Sequence, residues 1–460
     1  MVLALTRGKV AKWLKRILIA LAGVIALAAV LSLFISLDDY IPQIEAALSA
    51  RLKDPVSIKS IRFTALPLPH VTVDNIKVGK TDDIQVGKVR LTPDFFSLLS
   101  STWVIRSIEI NSLVLTHKGI DKIAAWTRPD AAQSPQQPAQ IRVESLRLND
   151  ALIRFAKASF GPFDARVSLD SAGQPAHASI ATRDGKLKVL VKPGESNYLL
   201  DISAKSWTLP VPPMLAFDEL TAKGAVTLND ANLSEFRAKL YGGTASGRAN
   251  ISWQKGLRLS GTLDVSQMEM QKIAAMLSLG HVSGKLSARP VFSTSAPTAD
   301  QLMNALRLET PFTVQNGVLY GIDIQTAATN LIKQGTAGGE TRFEQLSGHV
   351  VLERGSYRIT QFKIASGALA AAGDVNIAPT KELSGRINAQ VKALGMSAGV
   401  PLNVAGTVDA PLLYPTAGTV AGAAVGTVML GPGLGTSVGA KIGGWAEDLF
   451  GKQEEKKSRR

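Results

Sequence analysis

Cysteine is missing from all 460 residues. That excludes disulfides, thiolate metal sites and cysteine nucleophiles together. Histidine is scarce. His70, His117, His177, His281 and His349 are scattered, without the H-x-x-x-H or H-E-x-x-H spacing that puts two ligands on one helix face. They read as surface or turn residues, so no metal is expected. No Walker loop and no dinucleotide fingerprint occurs, and no cofactor is expected. Gly435-Thr436-Ser437-Val438-Gly439 formally fits G-x-S-x-G. A nucleophile elbow needs a strand before it and a later histidine, whereas this run follows Gly431-Pro432 and the last histidine is His349. Asp38-Asp39 and Asp82-Asp83 are adjacent pairs. Neighbours on a strand point to opposite faces, so these read as membrane-flank and turn acids in water rather than catalytic couples. The chain is expected to have no catalytic residue and to be no enzyme.

Acid is in deficit, and the location of the excess base decides its meaning. The net charge is +14, of which residues 1–16 supply +5 and the tail 451–460 supplies +3, leaving +6 for everything between. A nucleic-acid binder carries its basic face on the folded part. Here the base sits at the two ends, one of them beside a hydrophobic run where it can meet anionic headgroups. No nucleic-acid partner is expected.

That run is the strongest positive signal. Ile17 to Leu37 holds 21 residues without a charge, enough to cross a hydrocarbon core as a helix. Arg7, Lys9, Lys12, Lys15 and Arg16 precede it with no acid, which keeps the short N-terminal tail cytoplasmic and puts about 420 residues on the other side. A single-pass inner-membrane protein with its bulk in the periplasm is the expectation. The rival is a cleaved signal peptide, but the run is long for one and Ser32 to Asp39 offers no small-x-small cleavage site.

Past the run, Ile41–Lys53 has helical periodicity, with Ile44, Ala47, Leu48 and Leu52 on one face. Asp54-Pro55 ends it. Such a helix packs on its own domain or lies on the membrane. From Val56 the period becomes two. Val71 and Val73 share a face in VTVDNIKV, as do Ile108 and Ile110 in IRSIEI; IRVESLRL (141–148) alternates with a slip of face in the middle. In LRLSGTLDV, Leu257, Leu259, Leu263 and Val265 share one face while Arg258, Ser260, Thr262 and Asp264 share the other. Alternation of this kind means antiparallel sheet with one dry and one wet face. Three more helices are expected: Met268–Leu279 closed by Gly280, Thr298–Leu308 with a Thr298/Gln301 capping box, and Gly321–Lys333. Arg128–Gln140 has three prolines, four glutamines and no hydrophobic period, and reads as a flexible linker. Pro290–Pro297 is a weaker break. No charge lies between Asp409 and Lys441, where Gly418, Gly422 and Gly426, then Gly431, Gly435, Gly439 and Gly443, recur every four residues. That spacing suits closely approaching helices in lipid. A membrane-inserted hairpin and a small-residue tail packed on the sheet both fit.

Several segments resemble the AsmA family. The run, the helix after it, VSIKSIRFTALPLPHVTVDNIKVG (56–79) and LTPDFFSLLSSTWVIRSIEINSLVLT (91–116) are similar to the start of its members. FTVQNGVLYGIDIQ (312–325), residues 341–391 and VPLNVAGTVDAPLLYPT (400–416) resemble its C-terminal blocks more closely. Many members have a Thr-Gly-Arg-type turn where this chain has Leu52-Lys53-Asp54-Pro55, and residues 141–290 match in style only. The resemblance implies an inner-membrane-anchored periplasmic protein that supports outer-membrane lipid homeostasis. Its fold would be mainly β: an elongated, strongly curved antiparallel sheet, groove- or taco-like, with a few short helices and one N-terminal transmembrane helix. Phospholipid is the implied partner, with outer-membrane or envelope proteins as further partners.

The expected organisation is then a cytoplasmic basic tail 1–16, a transmembrane helix 17–37, an N-terminal AsmA-like region 38–127, the linker 128–140, a middle β region 141–290 and a C-terminal AsmA-like β region 291–416. A glycine-spaced tail 417–450 and a charged tail 451–460 follow. The expected lipid-binding residues are Val71, Val73, Ile108, Ile110, Leu257, Leu259, Leu263 and Val265. The competing reading of the same sheet is a structural scaffold for outer-membrane proteins or envelope complexes.

Overall fold

A computed structural model describes residues 37–421, apart from 66–67, 95, 98–99, 127–140, 155–158, 196, 212, 228, 255, 281, 331–334 and 394–395, and also describes residue 440. The uncharged run expected to span a membrane, except Leu37, the proline-rich linker and nearly all of the glycine-spaced tail therefore lie outside the described residues. No helix among the described residues is long and apolar enough to cross a membrane. By its contacts the chain divides into Met1–Ile202 and Ser203–Arg460, inside one strand, β10 (Tyr198–Thr208).

The first unit opens with a 3-10 turn, Asp38–Tyr40, and helix α1, Ile41–Leu52. Lys53 takes a left-handed conformation after it, ahead of the predicted Asp54-Pro55 stop. Then come β1 (Val56–Thr64), β2 (His70–Val78), β3 (Ile84–Pro93) and β4 (Trp103–Thr116), each antiparallel to the one before. Helix α2 (His117–Trp126) follows, a helix the periodicity analysis did not identify. β5 (Ile141–Val143) and β6 (Ser145–Arg154) both lie parallel to β4, so the sheet is not uniformly antiparallel. A parallel neighbour needs a crossover connection, and α2 together with 127–140 supplies its length. The break between β5 and β6 is the slip of face read in the sequence. β7 (Ser159–Leu169), β8 (Pro175–Thr182) and β9 (Leu187–Pro193) complete an antiparallel meander.

Helix α1 packs on its own sheet. Ile41, Ile44 and Leu52 join a core with Val56, Ile58, Val78, Ile84 and Leu113. The strand end is tied to the helix start: Leu37 N–H donates to Ile61 O and Ile61 N–H to Asp38 Oδ1 at 2.8 Å. Asp38 is therefore tied to β1 rather than left as a solvated charge flanking the run. At the other end of the helix Trp126 Nε1 donates to Leu52 O, so α2 docks against the end of α1. Asp83, expected in water, is buried beside Lys122.

The second unit continues with β11 (Ala216–Val226), β12 (Asp230–Leu240), β13 (Gly243–Ser252) and β14 (Leu257–Glu269). Helix α3 covers Met270–Leu277; Ser278 is its first left-handed residue, two positions before the expected Gly280. β15 (Lys285–Ala288) and β16 (Val291–Ala296) share one lane, each pairing with β14 and with β17 (Arg307–Tyr320). The Pro290–Pro297 break is thus filled by strand. Thr298 caps no helix: a 3-10 turn spans Ala299–Ala305, and the Thr298 hydroxyl is buried without a partner. Strand β17 begins at Arg307, where helix had been expected to continue. Helix α4 covers Ile324–Asn330, β18 is Thr336–Ala337, and β19 (Glu340–Glu353) pairs back on β17. β20 (Ser356–Ala365), β21 (Leu369–Ile377), β22 (Leu383–Ala393), β23 (Met396–Gly406) and β24 (Pro411–Pro415) extend the meander, with β18 closing against β24. The chain is mainly β, as expected.

Candidate functional site

The sequence gives alternation along each strand, and the register turns alternation into rows across a sheet. In the first unit Phe63 of β1 stands beside Val71 of β2, Val71 beside Leu91 of β3, and Leu91 beside Ile108 of β4. The row runs on through Leu146, Val167, Ala178 and Val191. All eight side chains are apolar and half-buried. Seven steps at ~4.8 Å make a stripe about 34 Å long. A second row lies one pleat away: Ile61, Val73, Val89, Ile110, Leu148, Ala165, Ile180 and Val189. The structure therefore brings Val71 with Ile108 and Val73 with Ile110 into two neighbouring rows. Val73, Ile110, Leu148 and Ile180 of the second row pack against the core beneath the helices, whereas in the first row only Val71 does so. The helices seal one end of the apolar face and leave the other accessible.

The opposite face is ionic. Glu109 is shared between Arg90 at 3.6 Å and Arg147 at 3.4 Å, and Asp74 bridges Arg62 and Lys88. Asn149 donates to Asn111 at 2.9 Å on the same side.

The second unit repeats the plan. Leu257, Leu259, Leu263 and Val265 are all half-buried on one face of β14, while Arg258, Thr262 and Asp264 are exposed on the other. Between them, Gly261 belongs to a row through nine strands: Leu233, Ala249, Gly261, Phe292, Leu308, Leu352, Tyr357, Ile377 and Leu383. A methyl on Gly261 would come within 2.9 Å of the Phe292 ring, so glycine lets that ring lie across the strand. Tyr357 is the one ionisable group in the row, and burial pushes its phenol up, keeping it neutral. Two hydroxyls on this face are satisfied by carbonyls: Thr294 Oγ1 donates to Leu302 O and Thr310 Oγ1 to Pro311 O.

Further along the same face the row closes. Val314, Leu346, Ile364, Ala371, Ala389 and Val400 are in register and buried. Helix α4 lies over them, with Ile324, Ala327 and Ala328 in the same cluster. Dense packing of this kind has no room for a ligand. Beside α4 is an open polar hollow of about 610 Å³, lined by Asp323, Thr326, Glu340 and Arg342 among others.

His349 Nε2 lies 3.0 Å from Glu309 Oε1, His70 Nδ1 lies 2.8 Å from Leu68 O, and His281 and Ser437 lie outside the described residues. Among the described residues no three acidic or histidine side chains gather as a metal site would require. The expected lipid-binding residues leave out Phe63, Leu91, Leu146, Val167, Ala178 and Val191, which complete the first row. Each sits in an alternating stretch, but only the register shows that they join Val71 and Ile108.

A family model described as YhdP protein matches residues 1–311. The chain belongs to the YhdP family. That family is AsmA-like, which agrees with the resemblance at that level. The match covers the first unit and the second as far as β17, including the middle region where no motif stood out. The C-terminal blocks of tightest resemblance lie beyond it. Searches of curated proteins and of solved structures gave no match to this YhdP-family chain.

Proposed function

We propose that this YhdP-family chain is a non-enzymatic protein that binds or transfers phospholipid along an apolar β-groove, held in the inner membrane by residues 17–37 with its bulk in the periplasm, and so supports outer-membrane lipid homeostasis. The observation that carries the reading is the eight-strand row from Phe63 to Val191: apolar, half-buried, unbroken by charge, and backed by an ionic face. In this reading the sheet curves with the rows on its concave side. Each buried methylene is worth about 0.8 kcal/mol. A uniform wall holds two acyl chains firmly yet opposes no sliding, because every position along it is equivalent. The headgroup stays at the wet margin, and no bond is made or broken. Leu257, Leu259, Leu263 and Val265 would line the corresponding wall in the second unit.

The test is a double substitution, Leu259→Asp with Leu263→Asp, followed by mass spectrometry of lipid retained by the detergent-extracted protein. Retained phospholipid should fall several-fold while the melting temperature holds. Unchanged lipid in a folded double variant sinks the groove. One observation favours the scaffold reading for part of the chain: the row under α4 is fully packed, so that stretch acts as a rigid body whatever the open rows carry.

A further inference from the structure

The two ends of the first unit's sheet differ in chemistry. β1 and β3 run one way and β2 and β4 the other, so the β1–β2 and β3–β4 connections share an end. The starts of β4 and β5 lie there too, because Trp103 pairs with Ile141 in parallel. At this end Leu68 is 56% exposed, Phe96 82%, Trp103 53% and Ile141 54%. These are four large apolar side chains from three stretches of chain, Phe96 and Trp103 both belonging to the β3–β4 connection and its entry into β4. Leu37 is hydrogen-bonded to Ile61, three residues before β1 finishes at this same end. Tyr40, 56% exposed, is three residues further on.

The opposite end is ionic. Its β2–β3 turn holds Asp82 against Lys77 at 2.7 Å. Its β8–β9 turn carries Arg183, Asp184 and Lys186, with Lys186 3.5 Å from Asp184. Even at the first end the apolar character is local: farther along the sheet, the β7–β8 turn is built on Asp170, whose Oδ1 accepts from Ala172 and Gln174. Leu199, 55% exposed, also stands at this end at the start of β10, but the exposed aromatic tips, Phe96 and Trp103, are confined to the strands nearest Leu37.

We propose that Leu68, Phe96, Trp103 and Ile141 form a foot that seats this end of the sheet in the interface of the same bilayer that residues 17–37 span. This rests on the anchor in the proposed function. The occupant is a lipid surface rather than a protein, for two reasons. The 21-residue uncharged run ends at the residue tied to this end. Trp103 and the exposed Tyr40 at this end match the belt of tryptophan and tyrosine found at membrane interfaces, with Phe96 adding apolar area beside them. A seated foot would orient the open apolar row toward the leaflet instead of leaving the sheet to swing on its tether.

Because the chain has no cysteine, one can be placed at will. Phe96→Cys, Leu68→Cys and Asp184→Cys, each in the full chain, carry a polarity-sensitive fluorophore in phosphatidylethanolamine–phosphatidylglycerol vesicles. Labels at 96 and 68 should shift to the blue and be quenched several-fold more by nitroxide lipid than by aqueous iodide, with the reverse at 184. Labels at 96 and 68 as open to iodide as that at 184, on protein that resists alkaline extraction, overturn the foot alone. Aqueous labels on protein that alkali strips away overturn the foot and the anchor together. Two foot positions are used so that one poorly folding variant does not decide the result.

Discussion

Lys122 Nζ stands 2.8 Å from Oδ2 of Asp83, a residue only 4% exposed, and 2.6 Å from Oδ1 of Asp54. One ammonium from α2 thus joins the turn before β1 to the turn before β3, under the helices that seal the first unit's core. The hydrogen bond from Lys122, then that from Thr81, holds the Asp83 carboxyl below the usual range, and the bonds to Asp54 and Asp83 push Lys122 up.

Removal of the ammonium strands a buried carboxylate. Lys122→Met is expected to cost about 3 kcal/mol in the first unit, with Asp83→Asn in the same chain restoring part of it. The pH dependence follows by linkage. The contribution of Asp83 is complete above about pH 4, its unfolded value, and is lost as pH falls through the lower folded value. That of Lys122 is complete below about pH 10 and is lost as pH rises through the raised folded value. Thermal unfolding of the full chain should show loss on both flanks, with Lys122→Met flattening the alkaline one. An unaltered alkaline flank in that variant refutes the assignment.

Two bulges share one device. Asp150 and Gln361 take positive φ, 61° and 53°, and their amides donate to Asp164 Oδ1 at 2.9 Å and Asp374 Oδ1 at 3.0 Å on the next strand. Each extra residue bends and twists its strand. Asp164→Ala should cost about 1 kcal/mol, and Asp374→Ala less, since its bond is in water's reach. Amide exchange at Asp150 should quicken in the first variant and at Gln361 in the second. Equal protection in variant and parent would mean that the carboxylates are bystanders.

Open and sealed rows should also differ in what they touch. A diazirine-bearing residue at Ile108 is expected to cross-link phospholipid in membranes, whereas one at Ile364, buried under α4, should capture only protein. Mass spectrometry of the two adducts reads this directly. Lipid at both positions, or at neither, contradicts the division between accessible wall and packed core.

The amino-acid sequence by itself determined the mainly β character, the strand phases and the ionic or apolar nature of each face. Those properties are set residue by residue, by whether a side chain gains from leaving water. Leu257, Leu259, Leu263 and Val265 were therefore legible together, and so were Ile44 and Leu52 on one helix face, whereas Ala47 and Leu48, put on that face by the same spacing, stand exposed and Ile41 takes the place beside the core. Only the tertiary structure decided which strands stand side by side. Val71 joins Ile108 by way of Leu91, across a short turn and then the 94–102 connection, and Ile108 joins Leu146 in parallel through the crossover that contains α2. Pairing is a contest between distant segments and leaves no mark in local period. For the same reason Asp82 and Asp83 looked alike in sequence, yet one stays in the turn and the other is buried. Lys122, 39 residues later, reaches back to compensate its charge.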